Sequence, residues 1–171
     1  VPISTMHNFV GKPVYQFRIS KYDPAYRDPE GHYLLEEWTS FSDIGKVFQG
    51  ELLTFDFYEQ IEKAYLQTAQ EFLRESGVRE LLITSPENHH QHSIPGISFD
   101  TGVQLSGSKL EHVMRDILRE RWWCKLEASA CFIHFGWDYY MYIGVPDKCD
   151  RAQRMARKLG LYCEVFSSPY Q

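Results

Sequence analysis

The stretch from Trp123 to Val145 constrains the fold more than any other part of the chain. Residues 123–130, 131–135 and 139–145 are three apolar and aromatic runs of strand length, set nearly end to end with Gly136-Trp137-Asp138 as the tight connection. Such runs bounded by turn residues read as strands. Parallel neighbours need a crossover of a dozen or more residues, so strands this close together lie antiparallel. A sheet built this way must bury one face, and the rest of the sequence supplies the cover.

Residues 14–22 (VYQFRISKY) alternate Tyr15, Phe17 and Ile19 against Gln16, Arg18 and Ser20, the period of a half-buried strand. From 55 to 76, Phe57, Ile61, Ala64, Tyr65, Ala69, Phe72 and Leu73 recur at three- and four-residue steps. This predicts an amphipathic helix that Gly77 is placed to end. Residues 80–85 carry a Leu-Leu-Ile strand that Pro86 should stop, and residues 102–105 a shorter one. Ser108 with Glu111 fits a capping box ahead of the stripe Leu110, Val113, Met114, Ile117 and Leu118. Asp147 or Asp150 can cap a third helix closed by Gly160, and residues 161–166 form the last strand. No repeat or linker divides the chain. The expected fold is α+β: a single domain over residues 6–171, mostly antiparallel sheet with about three helices packed on it. Residues 1–5, ahead of Met6, are set aside as an appended or processed start.

Composition excludes several classes. With 43% hydrophobic and 24% charged residues the chain is neither disordered nor fibrous. No apolar run approaches the ~20 residues of a membrane span, and the N-terminus lacks the apolar region of a signal peptide. The net charge of −5 argues against a general nucleic-acid binder. Cys124, Cys131, Cys149 and Cys163 are dispersed, mostly in apolar company, and read as buried reduced thiols of a cytoplasmic protein. His89, His90 and His92 crowd one loop, but only Glu87 accompanies them, so neither a metal nor another cofactor is expected. The catalytic alternative is a small hydrolase or nuclease-like enzyme using His134 with Asp138 and Glu127. It has no recognisable nucleophile elbow, phosphate-cradling glycine loop or metalloprotease motif beside it.

Charge distribution says more. Residues 21–60 hold nine acids against three bases, a local charge of −6, so the remainder sums to +1. The same segment holds Tyr22, Tyr26, Tyr33, Trp38, Phe41, Phe48, Phe55, Phe57 and Tyr58, and most of it, residues 23–54, is irregular and broken by Pro24, Pro29, Gly31, Gly45 and Gly50. Acids around aromatic anchors suit a basic protein surface: charge speeds the encounter, and desolvated aromatic rings supply the binding energy. The candidate partner-binding residues are Asp28, Glu30, Tyr33, Glu36, Glu37, Trp38 and Asp43. The competing reading folds these aromatics back into the core. A second aromatic group, Trp137 with Tyr139, Tyr140, Met141 and Tyr142, lacks the interleaved Lys and Arg of a nucleic-acid surface. It offers instead a subunit interface for a homo-oligomer.

Four blocks carry a resemblance: Trp38-Thr39-Ser40 with Ser42-Asp43-Ile44-Gly45; Trp122-Trp123-Cys124-Lys125-Leu126-Glu127; His134-Phe135-Gly136-Trp137-Asp138-Tyr139-Tyr140-Met141-Tyr142-Ile143-Gly144; and Ser168-Pro169-Tyr170. Across about residues 14–170 the chain resembles small bacterial proteins associated with immunity to polymorphic or contact-dependent toxins. That resemblance implies a cognate toxin domain as the partner, neutralised by occlusion of its active site. Immunity proteins are often acidic because many of their toxins are basic nucleases, and the acid excess here agrees.

Overall fold

The computed structural model describes Pro13 and residues 15–171; Val14 and the set-aside residues 1–5 lie outside the described residues. The three runs between residues 123 and 145 become β6 (Trp123–Ala128), β7 (Cys131–Phe135) and β8 (Met141–Val145). They are flanked by β1 (Tyr15–Ser20) and β9 (Tyr162–Val165) on one side and by β4 (Glu80–Glu87) and β5 (Gln104–Ser106) on the other. The order is β5-β4-β6-β7-β8-β1-β9, with every neighbour antiparallel. A separate hairpin pairs β2 (Val47–Phe48) with β3 (Glu51–Leu52). The helices are α1 (Phe55–Glu75), α2 (Gly107–Leu118) and α3 (Asp150–Lys158). The molecule is thus the single-domain α+β protein expected from the pattern.

Register explains why the sheet has one oily face. Val165, Phe17, Ile143, Ile133, Leu126 and Ile83 stand opposite one another in successive strands, forming a continuous apolar row. The helices cover this row from Phe17 to Ile83 and leave Val165 exposed at the sheet edge, and the ring of Phe72 in α1 lies 5.6 Å from that of Phe17. The row on the other face reads Glu164, Arg18, Tyr142 and His134, and the C-terminal tail lies over it. Gly144 is required on that face, because a Cβ there would sit 2.4 Å from the ring of Phe132 in the neighbouring strand.

Thr54 caps α1 by accepting from the Phe57 N–H at 3.2 Å, and Gly77, at φ +70°, ends it as its position predicts. A buried carboxylate ties α1 to the end of α2. Glu62, 1% exposed, accepts 2.8 Å hydrogen bonds from Nε and Nη2 of Arg119, lies 3.3 Å from Arg115 Nε, and receives the Tyr58 hydroxyl at 2.8 Å.

Three local expectations need correction. Strand β4 does not stop at Pro86: a bulge between Thr84 and Glu87 carries it past the proline, which a bulge tolerates because no ladder N–H is needed there. The Ser108–Glu111 capping box is absent, since α2 starts directly out of β5 with Ser106 at the N-cap, and Glu111 pairs with Arg115 instead. Neither Asp147 nor Asp150 is the N-cap residue of α3. Cys149 occupies that position, and Glu75, at the end of α1, accepts from the Arg151 and Ala152 N–H groups at 3.3 and 2.9 Å. All four cysteines are unpaired, and burial pushes the thiols of Cys124 and Cys131 up to about 12.

Candidate functional site

Residues 21–54 form tight turns before α1. Short 3-10 turns cover Pro24–Tyr26 and Phe41–Asp43, and the β2–β3 hairpin follows. Several candidate acids are consumed by this local structure. Asp28 accepts from the backbone N–H groups of His32 and Glu30, both at 2.9 Å, and these bonds hold its carboxyl below the ordinary range. Asp43 accepts from Thr39 N–H at 2.9 Å and pairs with Lys46 at 2.9 Å. Glu37 lies 3.2 Å from Lys21 Nζ, which is packed 4.1 Å from the ring centroids of both Tyr22 and Trp38. Burial lowers that amine to about 8. Glu30 and Glu36 remain exposed, Glu30 with only a distant contact to His32 at 3.7 Å.

The candidate aromatics divide as well. Trp38 is 3% exposed and packs 5.0 Å from Tyr139 and 5.5 Å from Tyr58, so it belongs to the core and offers no surface anchor. Tyr33 is half-buried, edge-on to Tyr22 at 4.9 Å. The structure therefore gathers Glu37 and Trp38 around Lys21, and leaves Asp28 with Glu30 at one turn and Asp43 at another.

Other side chains take the outward role. Among the described residues, six of the ten large exposed hydrophobics fall between residues 26 and 57: Tyr26, Leu34, Val47, Leu52, Phe55 and Phe57. Val47 and Leu52 stand opposite each other in the hairpin, which is followed by the first turn of α1 with Phe55 and Phe57. Glu36, Glu51 and Asp56 are exposed and have no ion-pair partner among the described residues. Gln49 at the hairpin tip donates to the Glu36 carbonyl at 2.8 Å, tying the hairpin to the loop before it. The sequence stripe placed Phe57 in the helix's buried face; Tyr58 is buried in its stead.

His92 and His89, clustered in sequence, turn to different carboxylates. His92 Nε2 lies 2.7 Å from the buried Asp116, whereas His89 lies 3.6 Å from Glu87. Among the described residues, one trio brings potential ligand atoms within 4.8 Å of one another, Asp28, Glu30 and His32, at an exposed turn.

His134 finds its carboxylate in Glu127, with no Asp138 contact among the described hydrogen bonds. Its Nε2 is 3.4 Å from Glu127, its Nδ1 is 2.7 Å from Ser168 Oγ, and the Thr84 hydroxyl donates to the far oxygen of Glu127. The His134 contact, reinforced by Thr84, holds Glu127 down to about 2 against the opposing effect of burial. Hydroxyl, imidazole and carboxylate follow the order of a nucleophilic triad. Here, however, His134 is wholly buried against Phe132, at 4.1 Å and 8° between rings, and Ser168 also accepts the Tyr170 N–H. As placed, the group fastens the C-terminal tail to the sheet.

The blocks that carry the immunity-type resemblance meet in space: Trp38 packs on Tyr139, Ser168 on His134, and Tyr170 lies 5.5 Å from Trp123. They do so as core and tail packing. Comparison with family models, curated proteins and solved structures found no match. Among the described residues, no helix is long and apolar enough to cross a membrane.

Proposed function

We propose that this chain is a binding protein of the immunity type, acting in the cytoplasm, that occludes a basic, nuclease-like toxin domain without turnover. The binding face consists of the β2–β3 hairpin, the first turn of α1 and the loop around Glu36. The observation that supports this reading is the coincidence of exposed Val47, Leu52, Phe55 and Phe57 with the unpaired carboxylates of Glu36, Glu51 and Asp56. Apolar side chains at the centre of an interface gain by leaving water, while rim charges raise the encounter rate and select a partner of opposite sign. The face is stiffened from behind: Trp38 anchors the loop in the core, and the Glu62–Arg119 pair fixes α1 against α2. A preorganised face loses less conformational entropy on binding.

The test is rescue of growth in cells expressing a toxin domain encoded immediately upstream of this chain. Wild-type protein and Asp28→Asn should protect, because Asp28 is spent on its own turn. Leu52→Asp and Phe57→Asp should not protect although both stay folded, their side chains being exposed. Protection by the two Asp variants equal to wild type would overturn the assignment of the face.

A further inference from the structure

A second surface feature lies where the ends of α2, β6 and β7 meet the tail. It is a cleft of about 400 Å³ whose lining includes Trp122, Trp123, Phe135, Trp137, Tyr139 and Tyr170. Two of its aromatic rings are held in place. The Trp123 indole donates to the Phe135 carbonyl at 2.7 Å, and Tyr170 closes over Gly136, where a Cβ would stand 3.3 Å from its hydroxyl.

Trp137 is 84% exposed at the cleft, and the backbone after it is strained: Asp138 and Tyr139 have φ of 61° and 67°. Non-glycine residues in that region cost about 1–3 kcal/mol each and persist only where the surroundings enforce them. Here two buried tyrosines do so, the Tyr22 hydroxyl donating to the Asp138 carbonyl at 2.7 Å and the Tyr65 hydroxyl to the Tyr139 carbonyl at 2.9 Å. The consequence of this strain is an indole held out in water beside an aromatic recess.

The charges at the rim set the sign of a ligand. Arg121 lines the cleft but lies 3.0 Å from the fully buried Asp116, which takes up its charge. Glu87 has His89 at 3.6 Å. Glu120, exposed and at φ 59°, has no ion-pair partner among the described residues. Aromatic faces attract a cation within about 6 Å of the ring centroid, and an unmatched carboxylate strengthens the preference. An anion would meet Glu120 unfavourably, and a neutral ligand could gain at most a hydrogen bond from it. We propose that the cleft binds an alkylammonium group, with Trp123, Trp137 and Tyr170 as aromatic walls and Glu120 as counter-charge. Its volume lies within the roughly 300–1,000 Å³ of ligand pockets, with room for a trimethylammonium head group and part of the chain that carries it. This site is separate from the acidic hairpin face and does not depend on it.

Binding is read from the indole N–H resonances of the four tryptophans during titration with choline, with its neutral isostere 3,3-dimethyl-1-butanol, and with Nα-acetyl-trimethyllysine amide. Choline should shift the Trp137 resonance saturably, and the isostere should bind about tenfold more weakly. Trp137→Ala should weaken choline about tenfold, and Glu120→Gln about threefold, with the melting temperature unchanged because both side chains are exposed. Tighter binding of the lysine derivative than of choline assigns the site to a protein side chain; the reverse assigns it to a small amine, and both support the proposal. Equal binding of choline and its isostere, wild-type affinity in Trp137→Ala, or no saturable shift with either ammonium would overturn it.

Discussion

Replacing Trp38 with alanine separates a core role from a surface role for the most conspicuous aromatic residue in the acidic segment. The ring is 3% exposed, packs 5.0 Å from Tyr139 and 5.5 Å from Tyr58, and covers the Lys21 ammonium at 4.1 Å. Removing a buried indole costs about 3–5 kcal/mol in lost transfer energy and cavity. In urea, with a slope of about 2 kcal/mol per molar, the midpoint falls by about 2 M. For a chain of this length the same loss lowers the melting temperature by about 10 °C. Water reaching Lys21 also raises its amine from about 8 toward the ordinary lysine range. Folded-state depression of that amine means the unfolded chain binds more protons between about pH 8 and 10.5, so in wild type this group adds stability as pH rises through that window. The variant should lose that rise. Urea unfolding at pH 7 and pH 10 measures both effects. A midpoint within about 0.3 M of wild type would refute the core assignment, since an exposed anchor costs little to truncate.

Glu62→Gln should destabilise by about 3–5 kcal/mol because Arg119 and Arg115 lose a buried counter-charge, and replacing both Glu62 and Arg119 with methionine should recover much of it by denaturant unfolding. Glu75→Ala should cost about 1 kcal/mol by uncapping α3, with hydrogen exchange rising first at Arg151 and Ala152. Glu127 has its folded carboxyl lowered from 4.5 to about 2, so its contribution is complete above about pH 4.5 and disappears as pH falls toward 2. Its carboxylate is partly open to water, so screening reduces the contribution to about 1 kcal/mol, and Glu127→Gln should flatten the acid limb of a stability–pH curve over that window.

The physical limits of the sequence reading are visible at particular residues. Alternation and helical period act within an element, so the sheet's central strands, the three helices and the terminating Gly77 were legible. Caps and contacts supplied from elsewhere were not: Glu75 caps α3 across more than seventy residues of chain. Counting acids in residues 21–60 found the charge but not its use, because Asp28 and Asp43 accept backbone N–H groups that only the turn geometry supplies. The His134 site was half legible. Once Ser129 and Ala130 form the turn, Ala128 pairs with Cys131 and Glu127 with Phe132, which brings Glu127 diagonally onto His134. Extending the strand to residue 130 hid that register, and Ser168 comes from a tail that no local pattern places. Leu34, Val47 and Leu52 are not legible as surface because each is one of an adjacent apolar pair (with Leu35, Phe48 and Leu53), and a pair in a loop has no period to say which member faces water.

In the proposed function, Glu36, Glu51 and Asp56 steer a basic partner onto an apolar face. Stopped-flow association with the purified toxin domain, run over a salt series, measures it directly, comparing wild type with the combined Glu36→Gln, Glu51→Gln, Asp56→Asn variant. Neutralisation should slow association about tenfold at low salt, flatten its salt dependence and leave dissociation nearly unchanged. Identical association rates and salt slopes for the two proteins would rule out steering by these three carboxylates.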